Sequence, residues 1–364
     1  MVFYSLIMLL MLPVSLYKGQ QVPSKLQIGL KLFFFYCLAV FRTLEIGNDT
    51  HTYYNLFTFI SGSSDSSISA LSGRYEIGYL WLNQTIASLT NNFWVFLAIV
   101  TAIIYYAYYK FIDRYSLNPA FSVFLFFILG FWGQTVNILR VQLALAMTIF
   151  AFLAFRDKKI WQTVFFMILA VSFQRIAAVF ILSFLVPPKI NKRLYSFMFI
   201  SALAVWLFLP QILSIAALVV PYFRTYLTSS HYVVGDVKLA AIFGAIVRFV
   251  FLAFCLYIFK VHEKELSEKE RTALIYQINM IFISFLITLI SLRFNLLDRC
   301  QTFNWLFIIV LIPNTLNRIK NWKNKVLSFV AILIFCIAQF FVFNIYRPNW
   351  NHTYPYKTIL LEGR

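Results

Sequence analysis

The stretch IWQTVFFMILAVSFQRIAAVFILSFLV, residues 160–186, is apolar apart from Gln162, Thr163, Ser172, Gln174, Arg175 and Ser183. Basic clusters flank it, RDKK at 156–159 and PPKINKR at 187–193. Loops rich in Lys and Arg collect on the cytoplasmic side of a membrane, so a single crossing strands one cluster on the wrong face. Two legs, 160–173 and 175–186, going out and coming back, remove the conflict. At about 1.5 Å per residue each leg reaches roughly 16–21 Å, short of the roughly 30 Å hydrocarbon core. Such a hairpin persists only where protein or an aqueous cavity surrounds its turn. Gln174 and Arg175 then face a wet pocket on the outer side. The competing reading is one long helix whose Arg175 pairs with a neighbour.

The rest of the chain agrees with a membrane setting. It is 61% hydrophobic and 12% charged, whereas soluble domains carry about a quarter charged residues. Apolar runs at about 2–17, 27–41, 93–111, 119–134, 138–155, 160–186, 194–210, 239–259, 272–292, 300–316 and 326–343 predict an all-α polytopic protein. This amounts to about 11–12 transmembrane helices of spanning length in a single integral-membrane domain over 1–364. The first run lacks a basic leader and a small-residue cleavage site, so it is expected to be a retained span. The four cysteines have no metal-type spacing and are expected to serve packing. The net charge of +18 first reports topology in such a chain, and no nucleic-acid partner is expected.

The loops 18–25, 110–118, 156–159, 187–193, 260–271 and 317–325 hold 18 of the 31 Lys and Arg residues, as 13 Lys and 5 Arg. These are assigned to the cytoplasm. The connections 42–92, 211–238 and the short Gly133–Val136 fall outside, with both termini. The remaining 13 basic residues are 10 Arg and 3 Lys. Outer arginines run against the topological bias. Arg binds phosphate through a planar, bidentate fork, and Arg140, Arg175, Arg248 and Arg293 lie in or at the ends of apolar spans, where an ionisable group points to function. Few carboxylates are available to neutralise them, so a lipid-linked phosphate or pyrophosphate is the expected ligand. Arg42, Arg224 and Arg299 are further candidate contacts, with His231 beside Arg224 in the same outer loop.

Among the outer acids, Asp49 in FRTLEIGNDTHTYYNLF and Glu76 in SGRYEIGYLWLNQTIASL stand out. Tyr75, Tyr79, Leu82, Ile86 and Leu89 recur at helical spacing, which predicts a helix lying along the interface. Tyr53, Tyr54, Tyr75, Tyr79 and Trp81 suit an interfacial aromatic belt better than sugar stacking. No metal-ligand spacing is present, and neither a metal nor a cofactor is expected.

At these residues the chain resembles the EpsG/Wzy family of bacterial surface-polysaccharide polymerases. The resemblance rests on Arg42, Gly47, Asp49 and Tyr53; on Glu76, Gly78 and Tyr79; on Asn137, Arg140, Gln142 and Ala144; and on Arg299 and Phe303. It runs from about 28 to 358 through short motifs in a fixed order. Where the family often has Phe-His-x-Ser-Ala, this chain has Phe173-Gln174-Arg175-Ile176-Ala177. An amide does not titrate, so Gln174 is left to bind a hydroxyl or phosphate, and the base becomes Asp49 or Glu76. The resemblance implies a fold related to the multispan glycosyltransferases that use lipid-phosphate donors. It also implies transfer of a growing glycan from undecaprenyl pyrophosphate to the next lipid-linked repeat unit, at the periplasmic face of the inner membrane. A flippase and a chain-length regulator of the same pathway are the implied partners, with the lipid-linked oligosaccharide and the membrane lipid. In that reading Asp49, Glu76, Arg140 and Arg175 are catalytic, while Arg42, Tyr53, Asn137, Gln174, Arg224, His231, Arg248, Arg293 and Arg299 bind substrate. A lipid-linked oligosaccharide flippase and a glycan-modifying membrane transferase are the rival readings.

The hairpin makes a direct topological prediction. In a cysteine-free background, Lys158→Cys and Lys192→Cys both resist a membrane-impermeant thiol reagent added from outside, while Ser229→Cys reacts. Opposite labelling at 158 and 192 refutes the hairpin.

Overall fold

Asn92, Asn118, Asn191 and Ser267 each stand just before a helix, and each starts it by accepting a hydrogen bond from an otherwise orphaned N–H. Asn92 accepts from Trp94 at 2.8 Å and Asn118 from Phe121 at 3.2 Å, with Pro119 at the first helical position. Ser267 and Glu270 form a reciprocal capping box. The computed structural model describes residues 2–11, 24–219, 239–294, 297–346 and 351–361, and among them the structure is all-α. Its only extended pairing there is an isolated antiparallel bridge between Arg42 and Thr358.

Among the described residues five helices are long and apolar enough to cross a membrane: Phe93–Tyr115, Leu139–Arg156, Ala241–Glu265, Glu268–Ser291 and Trp322–Tyr346. Two further pairs are bent, Pro119–Ile128 with Phe131–Asn137 by 57° and Lys192–Leu207 with Leu209–Ile215 by 70°. Counting each pair as one span gives up to seven. The other apolar runs form shorter pieces, including Val2–Met11, Ser24–Val40 and Ile160–Phe173. The expected outer turn at Gly133–Val136 is instead helical. The chain turns one step earlier, at Gly130 with φ +85°, and again at Ile138. In the 160–186 run the helix ends at Phe173. Gln174 is extended, and a 3₁₀ segment, Arg175–Phe180, follows.

The chain forms two compact units, Met1–Ala178 with Lys320–Arg364, and Val179–Ile319. In the first, Phe35 stacks on Phe127 at 5.3 Å, and Phe127 meets Phe340 of the last long helix at 5.4 Å. Such ring pairs add about 0.5–1.5 kcal/mol each beyond their buried area. Leu139–Arg156 packs along Ile160–Phe173. In the second unit, Glu268–Ser291 is more buried than Ala241–Glu265. It is pinned by side-chain bonds such as Asn314 to Gln277, 3.1 Å.

Two glycines allow the approaches that build one end of the first unit. Gly47 has φ +85°, and a Cβ there would collide with the Val136 carbonyl. The turn at 47 thus lies directly on the end of Phe131–Asn137. Residues 351–361 strap this turn down. Gly47 N–H donates to His352 O at 2.9 Å, Ile359 N–H to Phe41 O at 3.0 Å and Thr43 N–H to Lys357 O at 3.2 Å. Gly78, in the helix Ile77–Ala87, has no room for a Cβ against the Ser172 side chain. That helix therefore rests closely on the end of Ile160–Phe173.

Gly47→Ala should lower the thermal stability of the purified protein by at least the roughly 1–2 kcal/mol of a left-handed L-residue, with the Val136 collision in addition. Gly29→Ala is the control. Its Cβ meets nothing within 4 Å inside a helix, so stability should hold or rise by about 0.5–1 kcal/mol. Equal behaviour of the two would refute the packed turn.

Candidate functional site

Glu76 occupies the N-cap position of Ile77–Ala87, with extended backbone, and is 9% exposed. A carboxylate that far from water needs partners. Arg140, in the first turn of Leu139–Arg156, donates from Nη1 to Glu76 Oε2 at 2.8 Å. The backbone N–H of Arg175 donates to Oε1 at 3.3 Å. One carboxylate thus joins the start of one helix to the end of the next, because Gly78 lets its own helix approach.

The Arg140 guanidinium is set among aromatic rings. Its Cζ lies 5.0 Å from the Tyr75 ring centre and 5.8 Å from that of Tyr79. Tyr53 hydrogen-bonds to Arg140 and packs edge-on against Tyr79 at 6.2 Å. Ring faces attract cations most strongly when water is excluded. Arg140 Nε and Gln174 Oε1 are both buried without a hydrogen-bond partner. The Arg175 side chain is exposed and makes no hydrogen bond or ion pair among the described residues. Glu76 and Arg140 cancel, which leaves a site with an aromatic wall, an unspent Arg140 Nε donor and, on the residue whose N–H joins the pair, a guanidinium with no counter-ion among the described residues. Such a site suits a multiply charged oxyanion.

The remaining residues divide by what holds them. Arg42 is fully buried; it donates to the Ala39 carbonyl and to Thr50 Oγ1 at 3.4 Å, and Thr50 in turn reaches Ile46 O at 2.6 Å. Burial pushes the Arg42 guanidinium down to about 10, still charged at neutral pH. Its donors fasten the 39–50 turn rather than open to solvent. Asn137 is buried and donates to Asn351 at 3.3 Å. Gln142 is locked between Tyr108 at 2.9 Å and Gln134 at 3.1 Å. Asp49 is half-buried in front of Thr50–Ser61 and makes no cap bond there.

In the second unit, Arg248 donates to Gly244 O at 2.9 Å and to Gln301 at 3.3 Å, with Cζ 4.8 Å from the Trp305 ring centre. Arg293 donates to the carbonyls of Trp206 at 2.9 Å and Leu207 at 2.8 Å, closing the end of Lys192–Leu207. Arg299 is exposed in the first turn of Asp298–Trp305. Arg224 and His231 lie outside the described residues. Among the described residues no three His, Cys, Asp or Glu are grouped to hold a metal ion.

The structure brings together Glu76, Arg140, Tyr53 and the Arg175 backbone, with Gln174 next to Arg175 in the chain. It also gives Tyr75 and Tyr79 a use beyond an interfacial belt. Both are buried under Arg140, whereas Trp81 is 62% exposed. The adjacency Tyr75-Glu76 is the signal that could have found them, since a ring beside a carboxylate offers one cation two partners.

Arg140→Ala leaves the Glu76 carboxylate without its cation and should cost about 1–3 kcal/mol of stability. Arg175→Ala, removing an exposed and unpartnered guanidinium, should stay within about 0.5 kcal/mol. Thermal unfolding of the two purified variants checks this, and equal losses would mean that Arg175 has a structural partner.

A family model described as EpsG family matches residues 25–358. No curated protein and no solved structure matches the chain. The match covers nearly the whole sequence, and the chain belongs to the EpsG family.

Proposed function

We propose that this EpsG-family chain polymerises lipid-linked oligosaccharide repeat units at the periplasmic face of a bacterial inner membrane. Family membership supports a polymerase-type role in polysaccharide synthesis. The observation that carries the finer reading is the Glu76 carboxylate held between the Arg140 side chain and the Arg175 backbone, with the Arg175 guanidinium left over.

In this reading the growing glycan arrives on undecaprenyl pyrophosphate. Its pyrophosphate engages Arg175 and competes with Glu76 for Arg140. The released carboxylate accepts the proton of the acceptor hydroxyl, whose oxygen attacks the anomeric carbon of the donor. The bond from that carbon to the pyrophosphate oxygen breaks, and the leaving oxygen keeps the electron pair beside the two guanidinium groups. Cations aimed at developing charge are worth far more in a water-poor site than in solution. A single displacement of this kind inverts the anomeric centre and needs only the proton acceptor and the cations. Gln174, with its buried unpaired oxygen, receives a hydroxyl of the sugar. The partners proposed are the lipid-linked substrate, the surrounding lipid, and a flippase and chain-length regulator acting before and after.

Deleting the gene in its own host should remove long surface polysaccharide while single repeat units persist. Complementation with Glu76→Gln should leave polymer reduced roughly a hundredfold or more, the usual loss of a general base, at normal protein levels. Asp49→Asn should retain most of it. A normal ladder from the deletion strain overturns the polymerase reading. A normal ladder from Glu76→Gln alone moves the base to another residue.

A further inference from the structure

Beside the Glu76–Arg140 pair lies a cavity of about 310 Å³ lined by Thr52, Asn55, Leu56, Phe59, Leu71, Arg74 and Tyr75. Its volume falls within the roughly 300–1,000 Å³ of small-molecule sites. The lining is mixed in a specific way. Thr52, Asn55 and Arg74 are exposed, and their side chains make no hydrogen bond or ion pair among the described residues. Leu56 and Tyr75 are buried and form apolar walls, with Phe59 47% exposed.

Tyr75 belongs to both places. Arg74 Cζ lies 5.5 Å from its ring centre and Arg140 Cζ 5.0 Å. The next residue along the chain is Glu76. Arg140, which meets the Tyr75 ring, also donates to Glu76 Oε2 at 2.8 Å, so an occupant lying against Tyr75 is one side chain away from the carboxylate proposed to accept the proton.

We infer that this cavity holds the terminal sugar of the acceptor glycan. The inference rests on the polymerase reading and assigns the second substrate a place. A sugar ring has apolar C–H faces and a rim of hydroxyls. The faces match Phe59 and the buried Leu56 and Tyr75 walls, and the rim matches one hydroxyl, one amide and one guanidinium that make no hydrogen bond or ion pair among the described residues. A flat apolar ligand would strand those polar groups, which costs free energy when they are covered. A phosphate would leave the aromatic walls unused. The pyrophosphate is better served by Arg140 and Arg175, so the cavity is left to the second substrate.

The test uses the purified full-length chain in detergent and two probes, with affinities measured by calorimetry. One is the host's repeat-unit oligosaccharide freed from its lipid pyrophosphate by mild acid; the other is inorganic pyrophosphate. Arg74→Gln removes the cation, and Asn55→Trp fills the space. Each should weaken oligosaccharide binding about tenfold or more, a change of roughly 1.4 kcal/mol, with pyrophosphate affinity unchanged. Arg175→Lys should do the reverse. Oligosaccharide affinity unaltered in both cavity variants overturns the assignment, as does no binding to the wild type. Loss of pyrophosphate binding in both also overturns it, by making the cavity part of the anion site. If oligosaccharide binding survives both variants while Glu76→Gln still abolishes polymer, the cavity assignment falls and the polymerase reading stands. An intact ladder in the deletion strain removes the polymerase reading by itself.

Discussion

The Glu76 carboxylate is the constraint on which one end of the first unit depends. It is nearly out of water and accepts from Arg140 Nη1 and from the Arg175 backbone. Withdrawing an ion from water costs several kcal/mol even after relaxation, and only good geometry with further hydrogen bonds offsets it. Meeting that condition sets the positions of three segments at once. Ile77–Ala87 must begin at the carboxylate, Leu139–Arg156 must start beside it, and Ile160–Phe173 must end beside it. Gly78 removes the side chain that would keep the first and third apart.

The arginines that looked alike as sequence are separated by their partners. Arg42, Arg248 and Arg293 donate to carbonyls or neutral side chains, so their charge is stabilised while their donors are committed. Arg140 shares its charge with Glu76 and its faces with tyrosines. Arg175 contributes its N–H to the framework and leaves its guanidinium outside. That division leaves a guanidinium without a counter-ion among the described residues, on the residue whose backbone N–H holds Glu76.

Much of this was legible in advance, for identifiable reasons. Apolar runs with basic loops specify a polytopic helical chain whatever its tertiary contacts. The break at Gln174 was legible because an amide and a guanidinium inside such a run are costly without a turn or a partner. Glu76 stood out as an outer acid at a helix start, a position that local pattern reveals. The bend at Gly130 was missed, since the apolar run continues through it. The strap of 351–361 over the turn at 41–47 was invisible, because backbone pairing across some three hundred residues leaves no trace in local periodicity. The burial of Arg42 is equally invisible in the sequence, because it depends on that strap and on Thr50. Tyr75 and Tyr79 were read as belt residues because a tyrosine at a membrane edge has the same spacing whether it meets lipid or a cation.

The most direct measurement follows both products of the transfer. Purified protein in lipid vesicles would receive lipid-linked repeat units and no nucleotide sugar, with glycosidic linkages and free undecaprenyl pyrophosphate counted together. The expected result is one undecaprenyl pyrophosphate released for each linkage formed, with both lost in Glu76→Gln. Chain growth without that release, or release at the wild-type rate in Glu76→Gln, would contradict a transfer centred on the Glu76–Arg140 pair.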